Sequence, residues 1–329
     1  MSLFSVLADL LKPAPQPDPE VSAALDRVIG MVDPLVRAVP RLEKQLIQAV
    51  THALGYCEGL VTALPGPIDI NRQAFGKDPL VHALFATPGD IHDMLGRSQP
   101  VRDFLARPEC LRSDYFYAML AARRQQKTQY GLAQQGNVIR AEVAQEVLYF
   151  SAQTLIEPCC DQEGTRQRLR AKALQSLLVA FNAHVDKLRR KRADLRADAS
   201  LEQALLAHHQ SPETESDAVH SRHLAELDFL LQQNADALMP EHLAKTLADF
   251  LNRPETALSL TPVTLSVDRM GILYSADQLA NRDLQTLSFP ELSSRDRRLH
   301  MATLVRIARA EAEQAVAEVR DRQHRFILI

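Results

Sequence analysis

The sequence predicts an α+β fold in which helix predominates, and three observations carry that expectation. Leu174, Phe181, Leu188 and Leu195 recur every seven residues, with Ala171, Leu178 and Val185 in the companion position. That repeat is the seam of a coiled coil, so one very long helix is expected over 161–208. Tyr115 with Tyr117, and Val147 with Tyr149, alternate as side chains do along strands. Eleven Gly and eighteen Pro in 329 residues are too few for a loop-rich β protein.

Taken in order, residues 3–11 form a short amphipathic helix candidate with Phe4, Val6, Leu7, Leu10 and Leu11 apolar. PAPQPDPE (13–20) reads as an extended, polyproline-type tether. From Glu20 a helical portion begins. Pro34 and Pro40 interrupt its first helix, and Leu42, Leu46, Val50, Leu54 and Val61 keep one stripe of the next. Three short helices follow at DPLVHALF, TPGDIHDML and QPVRDFLA, the middle one with Thr87 and Asp90 as a capping box behind a Pro. Residues 114–157 read as a β-meander with a turn at QQGN, and a helix over AEVAQEVLYF is the rival.

Pro212 ends the long helix. Leu224, Leu227, Leu231 and Leu238 then stripe a second one over about 218–239, ahead of PEHLAKTLADFLN. Two helices joined by a polar link fold back as an antiparallel hairpin. Strand patterns return in LTPVTLSV and GILYS, which flank a hairpin turn at Asp268-Arg269-Met270 closed by Gly271. LQTLSF and RLHMATLVRIA follow, then a helix over roughly 308–323. RFILI is apolar enough to be expected as a strand added to a sheet edge. The expected organisation is a leading segment and tether (1–19), a helical portion (20–112), a β portion (113–160), the helical hairpin (161–253) and a small β/α portion (254–329). Neither β portion looks large enough to stand alone, which favours a single joint sheet.

Composition removes several classes of function. A formal charge of −3 gives no global case for a nucleic-acid binder. Cys57, Cys110, Cys159 and Cys160 lack disulfide-framework or CxxC spacing. No run approaches about 18 uncharged apolar residues, and MSLFSVLADLLK has no basic n-region, so neither a membrane span nor a secretory leader is expected. A reduced, cytoplasmic setting is the expectation, and thirty Arg against eight Lys suggests a GC-rich bacterial genome.

The chemistry-bearing motifs are few. HHQSPETESDAVHSRH places His208, His209, His220 and His223 among acids. His220 and His223 share a helix face, but the set matches no zinc-ligand spacing and reads as a polar connection, so no metal and no cofactor is expected. FGKD (75–78) lacks both the earlier Gly and the hydroxyl of a phosphate loop, and reads as a Gly turn. Gly55 and Gly59 allow close helix packing at most. GxGxxG, GxSxG and HExxH are absent, and no catalytic set is nominated.

KLRRKRADLR (187–196) is the strongest charge feature, with Lys187, Arg189, Arg190, Lys191, Arg192 and Arg196. Residues 161–200 hold ten bases against five acids, and 201–260 hold ten acids against three bases. In a hairpin these opposite charges would pair, making the basic run a solvated flank. The expected function is therefore a non-catalytic interaction, adaptor or assembly protein with a protein partner, acting through the hairpin and self-association. A nucleic-acid or polyanion binder using 187–196 is the alternative, and an enzyme of unspecified type the second.

Overall fold

The computed structural model describes residues 18–135, 138–208, 215–274, 284–294 and 299–327, with side chains left out over 132–140, 208–217 and beyond 322. The fold is α+β and mostly helical. It forms two compact units, each assembled from two separated stretches of chain.

The first unit takes the chain up to Tyr56 together with Leu174–Pro254. Its helices are α1 (Pro19–Met31), α2 (Pro34–Arg37), the start of α3 (Leu42–Thr62), most of α8 (Gln162–His208), α9 (Glu215–Ala237) and α10 (Pro240–Leu251). The tether gives way to helix sooner than its prolines suggest. Asp18 accepts from Glu20 N at 3.1 Å and Pro19 takes the first helical position, where its missing N–H costs nothing. Asp33 and Pro34 start α2 the same way. Leu174, Leu177, Leu178, Phe181 and Val185 are fully buried on α8, as are Leu247 and Leu251 on α10. The rings of Phe181 and Phe250 lie 5.8 Å apart, within the range of favourable aromatic pairing. The leading segment 3–11 and most of its tether lie outside the described residues.

The second unit takes Cys57–Ala173 and Glu255–Ile329. Here lie β1 (Ile68–Asp69), α4 (Arg72–Lys77), α5 (Pro79–Leu84), α6 (Pro88–Arg97), α7 (Gln99–Leu105), β2 (Tyr115–Gln135) and β3 (Val138–Cys159). After the excursion through the helical unit come β4 (Leu258–Val267), β5 (Leu273–Tyr274), β6 (Gln285–Ser294), β7 (Leu299–Ala308) and α11 (Arg309–Ile327). The two β portions join in one sheet of order β3-β2-β7-β6-β4-β5, with β1 parallel to β7. Its ends meet: Val147 and Ile272 form a bridge, and Leu148 N donates to Gly271 O at 2.8 Å. Gly271 is at φ +79° in the turn from Asp268, a conformation that glycine adopts without strain.

Strand alternation sorts the core. Phe116, Ala118, Leu120 and Ala122 of β2 and Met301, Val305 and Ile307 of β7 enter one cluster with Phe150 and Phe289. Met119, Ala302 and Leu304 face the other way, onto Val61, Leu64 and Leu169. Burial on both faces explains why residues 301–305 of β7 are apolar apart from Thr303 rather than alternating. Outside, α6 lies against α11. A Cβ on Gly96 would stand 2.5 Å from Ala315 O, so only glycine permits that approach.

Several expectations change. Residues 115–159 form one hairpin of two strands, 21 and 22 residues long, rather than a meander. The polar run RRQQKTQ, which resembles a break, stays extended because most of its side chains are exposed and need no apolar alternation. AEVAQEVLYF is strand, with Gln126↔Leu148 and Thr128↔Glu146 among its pairs. FGKD is no turn: α4 runs through Gly76, capped by Asn71, and Asp78 then caps α5. Nothing lies within 4 Å of a Cβ placed on Gly55 or Gly59, so the GxxxG mediates no close packing. The first three residues of RFILI, 325–327, are the end of α11 and not an edge strand; 328 and 329 lie outside the described residues.

Candidate interaction surfaces of the helical unit

The hairpin of α8 and α9 is zipped by Leu195 and Ala199 against Leu227, with Leu224, Leu230 and Leu231 beside them. Lower down, Asn234 Nδ2 donates to Leu188 O at 3.2 Å, which sets the register of the two helices by a second kind of contact. The heptads are legible in this packing, except that Ala171 and Leu188 are half-buried where Phe181 and Val185 are covered.

Toward the connection, Glu202 receives two imidazoles. His220 Nδ1 lies 2.6 Å from one carboxylate oxygen and His223 Nδ1 2.8 Å from the other. The i, i+3 spacing does put both rings on one face, but they converge on a carboxylate rather than on a common vacant centre. Hydrogen bonds from His220 and His223 hold the Glu202 carboxyl below its usual range. Among the described residues no group of three or more His, Cys, Asp or Glu is arranged to hold a metal ion. The His208 side chain and His209 fall outside them. Glu202 was not singled out in the sequence, because it sits on the helix before the histidine-rich stretch and only the hairpin brings it near.

A bare apolar flank lies beside this cluster. Leu201 is 60% exposed and Val219 56%, with Leu205 also exposed. At about 100° per residue, inward-facing Leu195 and Ala199 place Leu201 and Leu205 on one side of α8. Inward Leu227 and Leu231 place Val219 on the same side of α9. Phe229, 63% exposed, stands on the outer side of α9 beside Ala225, Glu226 and Leu230. These residues escaped the sequence reading because they depart from the heptad stripe that drew attention.

Among the described residues the basic run is not neutralised by the acidic segment. Arg189 pairs with Asp33, at 2.7 Å, and with Asp186, at 3.6 Å. Among the described residues no ion pair joins 187–196 to an acid of α9 or α10, and Arg192 and Arg196 pair with no described residue. The physical reason is what stands opposite: the side chains that share their cleft from α9 and its junction with α10 are Ala235, Leu238 and Met239, not acids. Arg189, Arg192 and Arg196 instead line a cleft of roughly 380 Å³ with Leu35, Ala193, Ala235, Leu238 and Met239.

The other unit offers satisfied groups. Arg124 Nε and Nη2 take both oxygens of buried Glu291, at 2.5 and 3.4 Å. Burial raises the thiols of Cys57, to about 12, and of Cys110 and Cys160, which keeps thiolate scarce at neutral pH. No helix of the described residues is long and apolar enough to cross a membrane. Set beside known protein families, curated proteins and solved structures, the chain matches none.

Proposed function

We propose that this chain is a non-catalytic cytoplasmic interaction, adaptor or assembly protein that works through its helical hairpin and associates with itself there. The observation that carries the reading is the flank of Leu201, Leu205 and Val219, three aliphatic side chains left in water on one side of a two-helix element. Scattered apolar residues are ordinary on a surface, but three aliphatic side chains on the same side of a two-helix element suit contact with another protein. A second hairpin related by a two-fold axis would cover the same residues on both copies and complete a four-helix bundle. The alternative use of 187–196 on nucleic acid has less support, because the neighbours of Arg192 and Arg196 are aliphatic and offer nothing for bases to stack on.

The test is mass in solution. Light scattering coupled to gel filtration should give a dimer for the parent chain and a monomer for Leu201→Asp/Val219→Asp, with helicity unchanged by circular dichroism. A monomeric parent, or a dimer indifferent to both substitutions, refutes the reading.

A further inference from the structure

We propose that the cleft between α2, α8 and the α9–α10 junction is the docking groove for the chain's own segment 3–11. The cleft lies within the helical unit, and the proposal is independent of the hairpin flank. Its floor and rims are apolar: Leu238 is buried, while Leu35 and Met239 are 41% and 51% exposed. A Leu and a Met so exposed in the lining of one concavity offer apolar side chains a place to bury. One wall carries Arg189, Arg192 and Arg196, at i, i+3 and i+7 of a helix. Arg189 is engaged by Asp33, which leaves Arg192 and Arg196 as the two cations open to an incoming acid. The nearby acid Asp236 accepts from Gln232 at 3.1 Å and pairs with neither arginine.

The segment matches this slot in polarity, length and reach. On a helical wheel Phe4, Val6, Leu7, Leu10 and Leu11 form one broad apolar stripe, and Asp9 stands at its border. An apolar stripe with one marginal carboxylate is the complement of an aliphatic slot with a basic wall. Nine helical residues span about 13 Å, against about 10 Å from residue 189 to residue 196. Residues 12–18, extended at about 3.1 Å each, add roughly 20 Å of tether, so the far end of the segment sweeps about 35 Å from Asp18. The chain path bounds the distance to the cleft: α1 covers about 20 Å and the link from Met31 to Leu35 at most about 14 Å. A tethered segment searching so small a volume has an effective concentration near the millimolar range, so a weak contact suffices to hold it.

The absence of tryptophan from the sequence supplies the experiment. Phe4→Trp in the full-length chain introduces a single indole. Docked, it should emit at shorter wavelength than the same indole in a free peptide of residues 1–17, and neutral acrylamide should quench it several-fold less. Arg192→Glu/Arg196→Glu should weaken docking about tenfold, since Asp9 loses its cationic partners and meets two like charges instead, and shift emission and quenching toward the free peptide. Met239→Lys, which leaves the arginines intact, should do the same. Asp9→Arg, added to the Arg192→Glu/Arg196→Glu variant, should restore shielding by reversing the pair. Shielding should persist at low protein concentration. An indole as accessible as in the free peptide, shielding indifferent to the cleft substitutions, or shielding lost on dilution would each overturn the proposal.

Discussion

Arg189 grips Asp33 at two points: Nη1 lies 2.7 Å from Oδ2, and Nη2 donates to Oδ1 at 2.9 Å. The same Oδ1 accepts from Leu35 N at 3.0 Å, so one buried carboxylate both caps α2 and anchors it to α8. Asp33→Ala removes cap and pair together and should destabilise the chain by about 1–3 kcal/mol. Arg189→Met leaves the cap in place, and the half-exposed guanidinium is screened, so about 1 kcal/mol is expected. Urea unfolding of both and of the double variant checks the coupling: losses that simply add would show that the two side chains do not act as a pair.

Phe181 and Leu188 belong to one heptad position but not to one environment. Phe181→Ala opens a cavity against Phe250 and should cost about 3–5 kcal/mol. Leu188→Ala, at a half-buried site, should cost roughly 1–2 kcal/mol. Equal losses in chemical denaturation would contradict the packing described.

The two imidazoles on Glu202 have a pH signature. The folded chain keeps this carboxylate ionised further into acid than the unfolded chain does. Its stabilisation is therefore present above the ordinary glutamate value of 4.5 and is lost as pH falls through the lower folded value. Glu202→Gln should be less stable than the parent at about pH 6 to 7 in thermal melts, with the gap closing steadily below about pH 4.5. A gap that stays constant down to strong acid would remove Glu202 from the account.

Gly96 admits no side chain. Gly96→Ala pushes a methyl group toward Ala315 O and Val319 Cγ2 and should cost about 1–3 kcal/mol, despite alanine's better helix propensity. A melting temperature at or above that of the parent would mean that α6 and α11 can separate without penalty.

How far the sequence disclosed this molecule depended on distance along the chain. Leu174, Phe181 and Leu195 announced a long helix because a heptad is a local pattern, and the turn at Asp268–Gly271 was legible for the same reason. β1 went unseen: Ile68 and Asp69 are strand only because they pair with Val305 and Arg306, more than two hundred residues later. RFILI misled because apolar content carries no period in five residues, and α11 simply continues into it. At the hairpin, His220 and His223 were correctly placed on one face, yet their partner Glu202 was invisible until the chain turned back. The charge imbalance between 161–200 and 201–260 suggested pairing, but totals say nothing of which side chains stand opposite one another. In the cleft of Arg192 and Arg196 those are Ala235, Leu238 and Met239.

The interleaving of the two units governs how the chain is made on the ribosome. Everything the helical unit needs has been synthesised once Pro254 emerges, because its second stretch is nested inside the other unit. The sheet must wait: β2 and β3 can zip early as neighbours, but β7, which joins β1, β2 and β6, arrives only with residues 299–308. During that interval the unpaired edge of β2 from Tyr115 to Arg123 stands open while the helical unit is already complete. A chain halted between these points therefore exposes strand backbone and the apolar face of Phe116 and Leu120, the kind of surface that nascent-chain chaperones cover.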